Sequence, residues 1–145
     1  MILHLFSVYE SFLNSVPNGL RSESELLKLG FGWSNFFSLA MNRLGMPAQT
    51  HLTNPSVNEA KKLFQKCLDL APDILLAQGL GPLPLRWLKE IKHELRLKNR
   101  NFRLVGWSGA PFSELDLEKY KVCDLVLTCN PRTVGELRQK GVDSD

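Results

Sequence analysis

The stretch Ile74-Leu75-Leu76-Ala77-Gln78-Gly79-Leu80-Gly81-Pro82-Leu83-Pro84 decides the fold class. Ile74 to Gln78 is a short apolar run without alternation, closed off by Ala71-Pro72-Asp73 on one side and by glycines on the other. A strand that is apolar on both faces belongs in the interior of a parallel sheet. Gly79 to Pro84 then makes a turn, and from about Pro84 to Asn99 the residues Trp87, Leu88, Ile91 and Leu95 recur at helical spacing. Strand, glycine-containing loop and helix follow one another as in a βαβ unit.

The same alternation continues in both directions. Ile2 to Ser7 reads as an opening strand, Ala48 to Leu52 as a second, Phe102 to Gly106 as a fourth and Leu125 to Thr128 as a fifth. A helix from Ser34 to Leu44, with Phe36, Phe37, Ala40, Met41 and Leu44 on one face, stops at Gly45. Another starts near Thr53-Asn54-Pro55, with a Ser56/Glu59 capping box and an apolar face of Val57, Ala60, Phe64, Cys67 and Leu68. Glu114 to Tyr120 is a loop or short helix. The last helix opens at Asn130-Pro131 and runs to Lys140-Gly141. Residues 8–29 carry a turn at Val16-Pro17-Asn18-Gly19 and a Ser22/Glu25 capping box, and read either as a functional loop or as a helical hairpin on the sheet edge. The expected fold is therefore α/β: a single-domain, Rossmann-like, doubly wound parallel sheet of about five strands with helices on both faces, in the order 3-2-1-4-5.

Ligands of such sheets bind beyond the carboxyl ends of the strands. The candidates for a cleft there are Gly32, Trp33, Ser34 and Asn35 in a glycine-containing loop that opens a helix, with Gln78, Gly79, Trp107, Ser108, Gly109, Thr128 and Asn130. Trp33 and Trp107 suit either stacking on a sugar or base or closing the top of the core. Cys129 stands where a strand meets a helix, and packing or an activated thiol would each account for it.

Many classes of activity lack their residues. Gly30 and Gly32 lie far beyond the first strand and no third glycine follows in register, so the dinucleotide fingerprint fails, and with it nicotinamide, flavin and the usual S-adenosylmethionine sites. There is no P-loop, no GxSxG elbow and no HExxH. Ser7 and Gln78 stand where a phosphoacceptor domain needs carboxylates. The three cysteines, Cys67, Cys123 and Cys129, have no metal-ligand spacing and read as reduced thiols of a cytoplasmic protein, so no metal is expected. The opening apolar residues lack a basic n-region and a cleavage site, and no run approaches the roughly 18 apolar residues of a membrane span.

With 145 residues and a net charge of +3, the chain is too weakly basic overall to imply nucleic acid. Its clustered charge is on one helix, where Arg86, Lys89, His93, Arg96 and Arg100 form a stripe opposite the apolar face. A solvated face accounts for the stripe. So does a weak peripheral contact with anionic lipid at the inner face of a membrane, and Glu90 and Glu94 flank it. No aromatics interleave the basic residues as in single-stranded nucleic-acid binding.

One ordered set of residues carries a resemblance. Phe31-Gly32-Trp33-Ser34-Asn35-Phe36-Phe37, Leu44-Gly45, Thr53-Asn54, Ala71 to Gln78, Leu104 to Pro111, Cys123 to Thr128 and Leu137 to Ser144 together resemble the N-terminal domain of the spore maturation protein B-like glycosyltransferases, of the two-domain GT-B class. The resemblance spans most of the chain from Phe31 onward and rests on the order of its pieces. Asn35 replaces the acidic residue usual in the family. The resemblance implies an acceptor-side N-terminal domain over residues 1–145, with no cofactor beyond a nucleotide-sugar donor. It implies that the C-terminal nucleotide-sugar domain is missing from this chain, and that this half has little or no transfer activity alone. Glu114, Asp116 and His4 are the bases open to an inverting reaction; none is selected by spacing, and the catalytic residue stays unknown. The competing reading is a stand-alone Rossmann-like module for a small anionic ligand or a protein partner.

Overall fold

The computed structural model describes residues 1–7, 34–53, 57–80, 83–109 and 112–145, with the side chains of 7, 34–36 and 57–59 outside that description. Among the described residues, five strands alternate with five helices: β1 (Ile2–Ser7), α1 (Ser34–Arg43), β2 (Ala48–Thr53), α2 (Val57–Leu70), β3 (Ile74–Gln78), α3 (Leu85–Lys98), β4 (Arg103–Ser108), α4 (Glu114–Tyr120), β5 (Leu125–Thr128) and α5 (Pro131–Gln139). Every strand pair is parallel. The α/β class and the five-stranded doubly wound sheet are as expected. The connection over 8–29 and the loop at Gly30–Trp33 lie outside the described residues.

The strand order is β2-β1-β3-β4-β5, not the expected 3-2-1-4-5. After β2 the chain crosses back over β1 and lays β3 on its far side. The sequence of the two strands explains the choice. β2, Ala-Gln-Thr-His-Leu-Thr, is half polar and suits an edge, whereas β3 is apolar on both faces and needs a neighbour on each side. The point where chain direction reverses therefore falls between β1 and β3, which moves the expected ligand crevice there.

Alternate strand residues Leu3, Leu5, Leu75, Ala77, Leu104 and Val126 are buried in one core with Leu63 and Cys67 of α2, Leu88, Ile91 and Leu95 of α3, and Leu117 and Tyr120 of α4. The four apolar residues expected on α3 are the four it buries. On α2 the sequence reading omitted Leu63, which is buried beside Cys67. Of the expected apolar face of α1, Phe37 and Met41 are half-buried, whereas Ala40, and Leu44 just past the helix, are exposed, and Ser38 next to Phe37 is buried. The helix is turned so that Ser38 meets the polar interior described below.

Glu114–Tyr120 is a helix, held at its start by a capping box in which Ser113 and Asp116 exchange hydrogen bonds. β4 runs two residues past the expected Gly106, so Trp107 and Ser108 are strand residues rather than loop. At the outer edge of β5 the chain returns: Val126 N donates to Asp143 O, and Asp145 N donates to Val126 O. Arg138 donates twice to Ser144 O and pins this added edge.

Truncating Phe102, which has no exposed surface, to alanine is expected to cost about 3–5 kcal/mol in urea unfolding. Gly106→Val is expected to cost about 1–3 kcal/mol, because a Cβ there lies 3.1 Å from Cys123 Sγ and 3.2 Å from Leu80 Cδ1. Leu97→Ala, at an exposed site, is the control and should change stability by less than about 0.5 kcal/mol.

Candidate functional site

Parallel register sets the strand ends in one row, with Ser7 opposite Thr53, Phe6 opposite Gln78, Gln78 opposite Trp107, and Ser108 opposite Thr128. Six candidates belong to this row or follow it directly: Gln78, Gly79, Trp107, Ser108, Gly109 and Thr128. Asn130 lies one residue beyond Cys129 and caps α5, its side chain accepting from Arg132 N at 3.0 Å, so its oxygen has a structural partner. Gly32 and Trp33 lie outside the described residues. Ser34 and Asn35 begin α1, with their side chains outside the description.

At the β1–β3 reversal the strands carry a buried polar chain. His4 of β1 has no exposed surface. Its Nδ1 lies 3.2 Å from Thr50 Oγ1 on β2, and its Nε2 lies 3.0 Å from Gln78 Oε1 on β3. The Thr50 hydroxyl is 3.0 Å from the Ser38 hydroxyl on α1. Phe37 packs tilted against the imidazole with ring centroids 4.9 Å apart. Gln78 Oε1 can only accept, so a neutral ring carries its proton on Nε2 and donates there, while Nδ1 and the Thr50 and Ser38 hydroxyls complete the chain. Burial favours that neutral ring and lowers the His4 pKa, while the hydrogen bond to Gln78 acts the other way. His4 is thus a satisfied strand residue, and its geometry gives it no open path to a substrate hydroxyl among the described residues. The sequence reading raised His4 but not Thr50 or Ser38, because a buried hydroxyl on a strand or helix leaves no periodic mark.

A second polar group sits at the carboxyl ends of β3 and β4. Lys119 of α4 is buried and donates to the Leu80 carbonyl at 3.1 Å. Burial lowers its pKa, and the charge of Asp116 opposes this. Burial raises the Tyr120 pKa, opposed by its hydrogen bond with Ser108. Ser108 is accordingly a buried partner of Tyr120. Lys119 anchors the loop after β3. No motif marked it, since a lysine in a short amphipathic helix reads as surface. Of the other two bases considered, Asp116 is committed to the Ser113 capping box, which holds its pKa low, and exposed Glu114 lies 3.4 Å from Lys140 Nζ.

No group of histidine, cysteine and carboxylate side chains suited to a metal occurs among the described residues. The cysteines differ sharply. Burial pushes the Cys67 and Cys123 thiols up to about 12, so both stay protonated at neutral pH, while Cys129 is exposed. No protein-family model matches the chain, and no curated protein matches it.

Two outcomes are expected. In the folded protein a thiol reagent at neutral pH should label about one cysteine quickly, and Cys129→Ser should abolish that phase. The folded-state pKa of His4 lies below its ordinary 6.5, so the unfolded chain binds the extra proton first. Its contribution to stability is full above 6.5 and is lost as pH falls from there through the folded value. Urea unfolding across pH 7.5 to 5 should show that slope, and His4→Asn should flatten it. The low-pKa carboxylates Asp73, Asp116 and Glu118 titrate below their ordinary 3.8 to 4.5 and act in a separate window.

Proposed function

We propose that the chain is the acceptor-side half of a two-domain glycosyltransferase of the GT-B class, working in the cytoplasm with a nucleotide-sugar domain. The observation that carries the reading is the place of Gln78. It ends β3 beside the chain reversal, where doubly wound sheets hold ligands, and its oxygen is engaged by buried His4. The amide NH2 then serves as donor to an oxygen-rich ligand such as a sugar hydroxyl. Trp107, half-buried in register with Gln78, adds an aromatic surface of the kind that sugars pack on. The ordered resemblance from Phe31 to Ser144 supports the same assignment, as do three cysteines without disulfide partners.

In this reading the half-site orients the acceptor, and the partner domain holds the diphosphate leaving group. Glycosyl transfer needs the acceptor hydroxyl in line with the anomeric carbon, and a two-domain cleft supplies that by closure. The base that takes the hydroxyl proton stays unassigned.

The test has two arms. Two-dimensional NMR of the isolated chain with a panel of oligosaccharides should shift the signals of Gln78, Gly79 and the Trp107 indole. Gln78→Leu should weaken binding about tenfold, the value of one hydrogen bond to a polar ligand. Fusion to the nucleotide-sugar domain of a two-domain glycosyltransferase should produce sugar-nucleotide turnover that the chain alone lacks. Ligand shifts confined to other surfaces, together with no turnover by any fusion, would reject the assignment.

A further inference from the structure

The stripe on α3 forms one wall of a groove that the glycosyltransferase reading does not use. Lys89, Lys92, His93, Arg96 and Leu97 of α3 face Lys121, just after α4, across a space of about 380 Å³. α3 begins at the carboxyl end of β3, and residues 121–124 lead into the start of β5. The groove therefore opens on the outer side of the helix layer, towards the end of the sheet opposite the Gln78 crevice.

Its charges are unevenly matched. Asp124 takes both Lys92 Nζ at 2.7 Å and Arg96 Nη2 at 2.5 Å on the same oxygen, while its other oxygen accepts from Leu104 N at 2.8 Å. Lys92 also donates to the Val122 carbonyl at 2.5 Å. One carboxylate is thus shared by two cations and a backbone amide. Lys121 pairs with Glu118 at 2.8 Å, and Glu118 also feels the charge of Lys89. Four permanent cations line the groove and are met by two carboxylates, with Glu94 flanking the row and Glu90 engaged with Arg86. The surplus is positive and lies on an open, shallow surface.

Size and texture narrow the occupant. Lys89 to Arg96 spans two helical turns, about 10 Å along the axis, more than one phosphate covers. Leu97 stands among the cations 70% exposed, an apolar side chain beside a row of charges. Cations set along an exposed leucine fit the headgroup level of a bilayer, where phosphates are spread in a plane and an apolar side chain enters below them.

We propose that this groove docks the protein on an acidic lipid surface. α3 lies along the membrane and Leu97 reaches below the phosphates, leaving the Gln78 crevice at the other end of the sheet free. The contact is peripheral, and among the described residues no helix is long and apolar enough to cross a membrane.

Co-sedimentation of the whole chain with phosphatidylcholine vesicles containing about 30% phosphatidylglycerol tests it. Partitioning should exceed that on pure phosphatidylcholine and fade with added salt. Each basic residue at such a surface is worth about fivefold, so Lys89→Gln with Lys121→Gln should lower partitioning about 25-fold. Asp124→Asn keeps an acceptor for Leu104 N and removes the shared negative charge, and should raise partitioning about fivefold. Arg132→Gln with Lys140→Gln, two exposed cations of the α5 region, should leave it nearly unchanged. Leu97→Ser should weaken binding to acidic vesicles but not to soluble polyphosphate. Equal losses from both double variants would show unfocused charge. Tighter binding to polyphosphate or DNA than to acidic vesicles would show a soluble polyanion as the ligand. Either result, or no preference for acidic vesicles, overturns the proposal. None of these outcomes bears on the Gln78 crevice.

Discussion

A histidine with no exposed surface sits on a strand flanked on both sides, and residues of β2, β3 and α1 are arranged to keep it there. Burying an imidazole without partners costs about as much as a domain of this size has to spare. His4 meets one oxygen from each neighbouring strand, Thr50 on β2 and Gln78 on β3. The bonds fix both neighbours to β1 through side chains as well as through the ladder. Thr50 extends the chain to Ser38, and that contact sets which face α1 turns inward. Ala40, and Leu44 just past the end of α1, lie outside, while Phe37 and Met41 share the inward side with Ser38 and are half-buried. Ser38 satisfies the polar chain while Phe37 beside it packs on the imidazole, so the helix serves both the buried hydroxyl, whose loss of a partner would be costly, and the ring.

The other side of the sheet obeys simpler rules. Leu3, Leu5, Leu75, Ala77 and Leu104 meet α2, α3 and α4 in a core without buried charge apart from the anchored Lys119. Apolar periodicity alone positions such elements, which is why Trp87, Leu88, Ile91 and Leu95 were all legible on α3 and why β1 and β5 have the bounds their composition suggests. Leu63 shows the limit of the same method. It lies beside Phe64 in a helix with lysines on either side, and a stripe drawn through Ala60, Phe64 and Cys67 passes just next to it.

Strand order was the part of the fold that pattern reading missed. Both doubly wound orders produce the same alternation of strands and helices, so the string of elements cannot separate them. The information lay in the contrast between the half-polar β2 and the wholly apolar β3. An edge strand tolerates glutamine and threonine on a solvated face, whereas β3 gains most from being enclosed. β5 takes the other edge of the sheet, and there the bridge between Val126 and Ser144 occupies part of its outer side.

The candidate site was legible in its placement and less so in its roles. Strand ends predict where polar residues gather, and Gln78, Gly79, Trp107 and Thr128 do lie there. Whether a polar residue at such an end faces a ligand or holds the scaffold depends on a partner far away in sequence. Ser108 is tied to Tyr120, Asn130 to the start of α5, and the oxygen of Gln78 to His4. These ties differ in what they leave over. Asn130 spends its oxygen on a helix start, whereas the bond from His4 fixes the Gln78 carboxamide by its oxygen and orients its nitrogen. A donor held in one orientation before a ligand arrives loses little entropy on binding, and that is why the proposed acceptor role falls on Gln78 in a row of similar strand ends.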